Sequence, residues 1–506
     1  MLKKTVLYSA FWLSLSGLIL QMLGFLYRIV ISRMAGAQGM ALYQLIWPFY
    51  GIISSVSISG LCAAAVKLTA EKESKKDNTV YLLIKTCIRL FMCIFALVSV
   101  AAIFSLKWIS ETVLGDTRIY PVLLVIIPTL FLTGFENIYK SFFHGTHNVI
   151  PVVISEISEL LIRIAAGFAL MLIFKNENPA TNALLIALGM LISEFFSSVF
   201  LHFIYKNKIK SQKLINDKSK NSKQVKQILS FAAPVAGSGL LLNIINSATL
   251  VMIPRLLMMW GMQKHDAMNT FGVLLGMVSP FLMFPMIFIS SLSNVIFPNI
   301  SHLRASGRQK DVNRKISLSI FVTGIFSLPI TAVIITAGPY FCNFLFKQNP
   351  DKSFFAALAA VSVFSYYEML LSNILNGLGK EKQNALFAII SGVIQLIATC
   401  IAIPLLGIYG YAAGIFCGSF FRFTACMILI FIERKIKIEV TKWFLSPVIT
   451  ASLCGVLGKQ SFELMLRNNF SEFSAIVYMI AGTIILYTIL MNIQGIRPIK
   501  YAKSLL

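Results

Sequence analysis

Long apolar runs recur along the whole chain. A helix that crosses the hydrocarbon core of a bilayer needs about 20 mainly apolar residues. The sequence contains fourteen such runs, near residues 7–31, 41–66, 80–104, 119–143, 150–174, 181–205, 228–256, 271–299, 316–346, 353–377, 384–406, 409–432, 443–459 and 473–493. Hydrophobic residues make up 57% of the 506 positions and charged residues only 13%. So few charges cannot cover a soluble surface, which excludes a soluble enzyme and predicts an all-α polytopic membrane protein.

Basic residues concentrate in every second connection between these runs. With the N-terminus inside, the inner connections carry 29 Lys and Arg residues and the outer connections carry nine. This asymmetry follows the positive-inside rule and predicts a bacterial-type cytoplasmic membrane protein with both termini in the cytoplasm. The net charge of +24 then reflects topology and attraction to anionic lipid headgroups, so membrane lipids are expected partners and nucleic acid is not.

Landmarks in the first half of the chain recur in the second half. Phe-His-Gly at 143–145 aligns with Leu-Asn-Gly at 375–377, an offset of 232, and Gly189 aligns with Gly418, an offset of 229. A duplicated unit of six spans keeps the same orientation in the membrane, because six is even. The sequence predicts two six-helix lobes related by a pseudo-two-fold axis along the membrane normal, with a substrate cleft between them. The predicted parts are an N-lobe at 1–205, a basic cytoplasmic linker at 206–227, a C-lobe at 228–432 and two additional spans in 433–506.

Small and polar residues form one stripe on the first span. They follow helical spacing, at Ser14, Gly17, Gln21, Gly24 and Arg28, and therefore share one face. One interpretation is close helix packing through the two glycines, with the Arg28 side chain reaching the outer surface. The other places Gln21 and Arg28 against an aqueous cleft. We favour the second, because it explains why two polar groups share the glycine face.

The seventh span adds further polar groups at membrane depth, namely Asn243, Asn246 and Arg255. Intramembrane charges are expensive, so each is by default a functional hypothesis. The first, second, seventh and eighth spans contain no Asp or Glu. A cleft lined by these spans would be cationic and would suit an anionic group. The predicted substrate-binding residues are Arg28, Arg255, Gln21, Asn243 and Asn246.

Four other charged residues within spans have two interpretations. Glu159 and Arg163 are spaced to form an i,i+4 ion pair on the fifth span, while Glu194 and Arg422 lie at similar depths in the sixth and twelfth spans. All four either stabilise their helix bundles or line the cleft. For Glu159 and Arg163 we favour the structural role, in which exchanging the two residues should restore folding.

Sequence signals for enzymatic chemistry are lacking. The chain has no nucleotide-binding loop, zinc motif or serine-hydrolase motif, and its eight cysteines all fall in apolar stretches. We therefore expect a transporter rather than an enzyme, with no cofactor and no metal site. Energy for transport would come from an ion gradient or the membrane potential, and the coupling ion is left open.

Several short motifs carry a resemblance to a known family. They are Leu-Gly-Phe-Leu-Tyr-Arg at 23–28, Arg-Met-Ala-Gly-Ala at 33–37, Lys-Leu-Thr-Ala-Glu at 67–71, Glu159 with Arg163, and Asn-Gly-Leu-Gly-Lys at 376–380. With these motifs the chain resembles polysaccharide flippases of the multidrug/oligosaccharidyl-lipid/polysaccharide (MOP) exporter superfamily. The branch is the stage V sporulation protein B type, which is related to the lipid II flippases. Gln21 departs from the pattern, since relatives often have Arg there.

The resemblance implies a function as well as a fold. It implies fourteen helices in two lobes and alternating access that moves an undecaprenyl-pyrophosphate-linked sugar, lipid II or a related cell-wall precursor, from the inner to the outer leaflet. Arg side chains suit a pyrophosphate, because their planar forks bind two oxygens at once. The protein is expected to act as a monomer on a lipid-linked oligosaccharide. Two alternatives stay open: a multidrug or cation antiporter of the same superfamily, which would line its cleft with carboxylates, and a non-transporting scaffold for cell-wall synthesis.

Overall fold

The computed structural model of the chain describes residues 2–75, 79–174, 178–210, 221–434 and 441–496. These residues form helices joined by short turns, and no β-strand occurs among them. The α-helices are α1 (Leu2–Gln44), α2 (Ile46–Ser54), α3 (Gly60–Ser74), α4 (Val80–Trp108), α5 (Tyr120–Gly145), α6 (Ile150–Phe174), α7 (Pro179–Lys210), α8 (Asn221–Met259), α9 (Lys264–Val273), α10 (Ser279–Leu282), α11 (Phe284–Ala305), α12 (Gln309–Phe346), α13 (Lys352–Gly377), α14 (Glu381–Leu406), α15 (Tyr409–Arg434), α16 (Ser446–Arg467) and α17 (Glu472–Ile493).

Thirteen helical stretches within the described residues are long and apolar enough to cross a membrane. They confirm the prediction of an all-α polytopic membrane protein. The segment near 443–459, predicted as the thirteenth span, forms α16, which is not among these stretches. Its second half carries Lys459, Glu463 and Arg467, which lower its hydropathy.

Proline and glycine set the local breaks in the spans. Pro280 and Pro285 lie in the first turns of α10 and α11, on either side of the break at Met283. A proline is tolerated in a first turn because its missing N–H would have no helical partner there. Gly36 interrupts the geometry of α1 with a φ of 68°, a conformation that glycine adopts without a Cβ penalty.

The chain folds into two compact units. Unit 1 comprises Met1–Met252 and Met268–Gly272, and unit 2 comprises Ile253–Ala267 and Val273–Leu506. In unit 1, α7 packs on α5 and α6, and in unit 2, α15 packs on α13 and α14. The same three-helix arrangement therefore occurs in both units. The helices α5, α6 and α7 correspond to α13, α14 and α15, at the sequence offset of about 230 residues that relates the two halves of the chain. The lobe and linker boundaries predicted from the sequence stay a prediction.

Aromatic rings fill the contact between α4 and α5 in unit 1. Phe91 is fully buried, and its ring lies 5.4 Å from that of Phe95, 6.2 Å from that of Phe131 and 5.6 Å from that of Phe135. Gly134 lies against this ring, and a Cβ at position 134 would overlap it. The neighbouring rings leave Phe91 no space into which to move.

We expect Gly134→Ala to destabilise the protein, because overpacking a dense core costs about 1–3 kcal/mol. The unfolding temperature in detergent, followed by fluorescence-detected size-exclusion chromatography, should fall. Gly482→Ala is the matched control, since a Cβ there meets no described atom within 4 Å. Equal unfolding temperatures for the two variants would contradict the packing argument.

Candidate functional site

Three carboxylates from three helices meet inside unit 1. Glu136 of α5, Glu159 of α6 and Glu194 of α7 each place one oxygen so that the three lie within 4.8 Å of one another. Glu136 is 1% exposed and Glu194 is 4% exposed. Buried carboxylates are strongly unfavourable unless other groups bond them, so their partners determine what this cluster can do. We call these three residues the carboxylate cluster.

Two cations bind the carboxylate cluster. The Nζ of Lys140 lies 2.7 Å from Oε1 of Glu136 and 3.7 Å from Oε2 of Glu159. The Arg163 guanidinium donates to Glu159 and lies 3.3 Å from Oε1 of Glu194. The Glu159–Arg163 pair predicted from the i,i+4 spacing therefore forms, and Glu194 joins it from the next helix. The role of these residues in transport stays a prediction.

Serine hydroxyls complete most of the hydrogen bonds in the cluster. The Oγ of Ser197 donates to Oε1 of Glu136 over 2.7 Å and lies 2.6 Å from Oγ of Ser155. The Nε of Arg163 donates to Oγ of Ser193 over 3.1 Å. Oε2 of Glu194 is buried and receives no hydrogen bond from the described residues. One carboxylate oxygen in the cluster thus lacks a donor.

The carboxylate cluster has the donor set of a cation site, but its surroundings disfavour a metal ion. Three oxygens within 4.8 Å could ligate one. However, the oxygens already bind Lys140 and Arg163, which would repel a divalent ion at contact distance. That no metal site exists remains the expectation from the sequence.

A second, partly buried ion pair lies in unit 2. The Nη1 of Arg422 on α15 lies 2.5 Å from Oε1 of Glu368 on α13. Its Nη2 donates to Oγ of Ser372 over 3.3 Å and to Oδ1 of Asn384 over 3.4 Å. Asn384 of α14 in turn donates to Oγ of Ser372 over 2.8 Å. Arg422 of α15 is therefore held by groups from two other helices, α13 and α14.

This ion pair lines a pocket of about 470 Å³ within unit 2. Methionine side chains, among them Met283 and Met286, form part of its wall. The polar wall consists of Ser365, Glu368, Ser372, Asn373, Gln395 and Arg422, together with Ser419 and Tyr411. Hydroxyl and amide groups around a neutral ion pair suit a polar group rich in hydrogen-bonding atoms better than an isolated charge.

The clusters of the two units occupy equivalent positions in the repeat. The offset of 232 that relates 143–145 to 375–377 also relates Glu136 to Glu368 and Lys140 to Ser372. A glutamate that pairs with a cation is thus present in both halves, but its cation differs. In unit 1 the cation comes from the same helix, and in unit 2 Arg422 supplies it from α15.

The two glycines in the polar stripe of α1, Gly17 and Gly24, have open space beside them. A Cβ built on Gly17 or Gly24 meets no described heavy atom within 4 Å. Gln21 is exposed and Arg28 is partly buried. Tight helix packing through these glycines is therefore not found among the described residues, which favours the interpretation that this face of α1 is accessible.

The other predicted binding residues lie on α8. Asn243 donates from Nδ2 to Oγ of Ser55 over 2.7 Å and to the Gly239 carbonyl over 3.1 Å, so its amide ties α8 to the turn after α2. Asn246 is exposed and Arg255 is partly buried. Arg255 belongs to unit 2, whereas the two asparagines and Arg28 belong to unit 1.

Comparison with known proteins identifies the family. The model of the family described as "Polysaccharide biosynthesis protein" matches residues 6–304. The chain belongs to this family. One curated relative of this chain is stage V sporulation protein B of Bacillus subtilis (strain 168). The two sequences are 25% identical over 506 residues, and the alignment covers 97% of this chain and 96% of that protein. The resemblance stated from the sequence motifs is confirmed.

Two solved structures share the fold of this polysaccharide biosynthesis family member. "Lipid II flippase MurJ, inward closed conformation" aligns with a TM-score of 0.68 and 16% identity, covering 95% of this chain and 98% of that one. An inward-facing multidrug resistance MATE family transporter of the MOP superfamily aligns with a TM-score of 0.66 and 15% identity. The alignment covers 82% of this chain and 94% of the transporter. The predicted fold class is therefore confirmed as that of MOP transporters.

Lys140 is the main residue that the sequence analysis misplaced. Lys140 falls near the end of the span predicted at 119–143 and was counted among the 29 basic residues of the inner connections, but it lies within α5 with a side chain that is 14% exposed. Its burial is possible because Glu136, one turn earlier, neutralises it. The i,i+4 spacing of Glu136 and Lys140 was the available signal. Glu136 and Glu368 also share the repeat offset, which could have singled them out.

Proposed function

We propose that this polysaccharide biosynthesis family member is a flippase. It moves an undecaprenyl-pyrophosphate-linked sugar, lipid II or a related cell-wall precursor, from the inner to the outer leaflet by alternating access. The observation that carries this proposal is the accessible polar face of α1, with Gln21 and Arg28 beside glycines that leave open space. An arginine at this depth suits a phosphate-bearing headgroup whose lipid tail stays in the bilayer.

The proposed binding residues have separate roles. Arg28 and Arg255 bind the pyrophosphate, while Gln21 and Asn246 donate and accept hydrogen bonds with the sugar. Asn243, whose Nδ2 already donates to Ser55 and to the Gly239 carbonyl, accepts a hydrogen bond from the sugar through Oδ1. Glu159, Arg163, Glu194 and Arg422 hold their helices together and do not touch the substrate. The similarity to a stage V sporulation protein and the shared fold with a lipid II flippase support the proposed flippase function. The protein acts as a monomer without a cofactor.

Transport of a labelled lipid by the purified full-length protein tests the proposal. Vesicles are prepared with lipid II that carries a fluorophore on its peptide, and an impermeant reductant bleaches the molecules in the outer leaflet. We expect the protein to make the inner pool accessible far faster than in protein-free vesicles. Export of a cationic dye without lipid movement would favour a multidrug antiporter, and no transport of either probe would favour a scaffold.

The proposed orientation places both termini in the cytoplasm. It predicts that a cysteine introduced at Asn178 reacts with a membrane-impermeant maleimide in intact cells. A cysteine at Ser306 should react only after lysis, because that turn lies on the basic side. Both positions are exposed, and the eight native cysteines are first replaced. The opposite labelling pattern would contradict the orientation.

A further inference from the structure

The charges of the carboxylate cluster and its two cations do not balance. Glu136, Glu159 and Glu194 supply three carboxylates, whereas Lys140 and Arg163 supply two cations. Glu156 also approaches Lys140, at 3.6 Å, but its side chain is 31% exposed and can be hydrated. Full ionisation would leave one uncompensated negative charge at membrane depth. Such a charge is unfavourable enough that the site must take up one positive charge.

The position of the missing positive charge is marked by one oxygen. Oε2 of Glu194 is buried and has no donor among the described residues. The carboxyl groups of Glu136 and Glu194 nevertheless each place one oxygen within 4.8 Å of the other's. Two ionised carboxylates at this distance repel each other, whereas a protonated carboxyl donates a hydrogen bond to an ionised one.

We infer that Glu136 and Glu194 share one bound proton and that this pair is the proton site that couples to transport. In the proton-bound state, the O–H of Glu194 donates to Glu136 and the cluster is neutral. On release the O–H bond breaks, the proton passes to water, and the cluster carries one negative charge. The coupling role rests on the proposed transport function, whereas proton binding does not.

A proton suits this site better than a metal ion does. Arg163 lies between Glu159 and Glu194, and Lys140 lies against Glu136, so a metal ion on these oxygens would contact two cations. A proton needs no coordination shell. Other ionisable groups also lie near the cluster. Tyr27 and Tyr43 of α1 are near Arg163, and Tyr50 of α2 is near Glu194. His144, one turn after Lys140 on α5, interacts with Lys140 and with the partly exposed Glu156. Tyrosines are normally neutral at physiological pH and do not supply the missing charge.

The repeat supplies a matched control in the same molecule. Glu368, at the position equivalent to Glu136, pairs with Arg422, and these two charges balance without a proton. The inference therefore assigns proton binding to the cluster of unit 1 and not to the equivalent glutamate of unit 2.

Infrared spectroscopy of the purified protein tests proton binding without transport. We expect the carbonyl band of a buried protonated carboxylic acid at neutral pH, shifted in deuterium oxide and lost on alkalinisation. Glu194→Gln should remove this band and fold normally, because its amide can donate to Glu136 as the acid does. Glu368→Gln should retain the band. Absence of the band from the unmodified protein, or its loss when sodium is added at constant pH, would overturn the proton site.

Lipid II vesicles with an imposed pH gradient test the coupling. We expect the gradient to change the flipping rate of the unmodified protein and of Glu368→Gln, and to have no effect on Glu194→Gln. If the infrared band is present but the flipping rate does not change with the pH gradient, the coupling role is overturned. If the infrared band is present but the protein moves no lipid II, the proposed function is contradicted and the proton site is not. Failure of the proposed function and failure of the proton site can therefore be distinguished.

Discussion

Arg28→Ala and Arg255→Ala should each reduce lipid II flipping by roughly 100-fold or more, at normal membrane abundance. A hydrogen bond to a charged group contributes about 1.5–3 kcal/mol, and each arginine can make two with a pyrophosphate. Every loss of about 1.4 kcal/mol is a factor of ten. The fluorescent lipid II assay measures the rate, and quantitative blotting measures abundance.

Conservative replacements separate charge from geometry in this prediction. Arg28→Lys and Arg255→Lys keep the cation but lose the fork that binds two oxygens, so we expect only partial activity. Arg467→Ala is the matched control, because Arg467 is exposed at the C-terminal end of α16 and its replacement should leave flipping unchanged. Full activity in a protein that carries both alanine substitutions would remove Arg28 and Arg255 from the proposed binding site.

The sequence predicted local features of this molecule well. Transmembrane helices are recognisable because lipid requires a long apolar run for each of them. The Glu159–Arg163 pair was predictable for a similar reason, since one helical turn fixes which residues are neighbours. The prediction of the helices and the prediction of the pair each depend only on residues that are close together in the sequence.

Contacts between helices could not be predicted in the same way. Glu368 and Arg422 are 54 positions apart, and apolar periodicity does not show which faces of α13 and α15 meet. The contact between Arg163 and Glu194 depends likewise on how α6 packs on α7. Lys140 was misplaced because a lysine near the end of a span normally marks its cytoplasmic side. The buried partner Glu136, with Glu156 and Glu159 nearby, makes its position inside the bundle favourable.

The contacts of Glu194 change what the Glu159–Arg163 pair is expected to do. From the sequence, exchanging Glu159 and Arg163 should restore a structural pair. In the structure, Arg163 also binds Glu194, and the exchange would place a carboxylate beside Glu194. We therefore expect the exchanged protein to remain poorly folded. Arg163 thus stabilises two helices at once, α6 through Glu159 and α7 through Glu194.

Arg163→Ala should consequently destabilise the protein more than Glu159→Gln does. Removing Arg163 leaves Glu194 without a cation and leaves Glu159 with only Lys140, at 3.7 Å. Breaking a buried ion pair typically costs about 3–5 kcal/mol, so we expect roughly that loss. Glu159→Gln leaves Arg163 paired with Glu194 and should cost less. The amount of monodisperse protein and its unfolding temperature in detergent measure the difference. If Arg163→Ala and Glu159→Gln both keep normal abundance and unfolding temperature but lose flipping, Glu159 and Arg163 belong to the transport path, because a structural pair cannot be broken without a loss of stability.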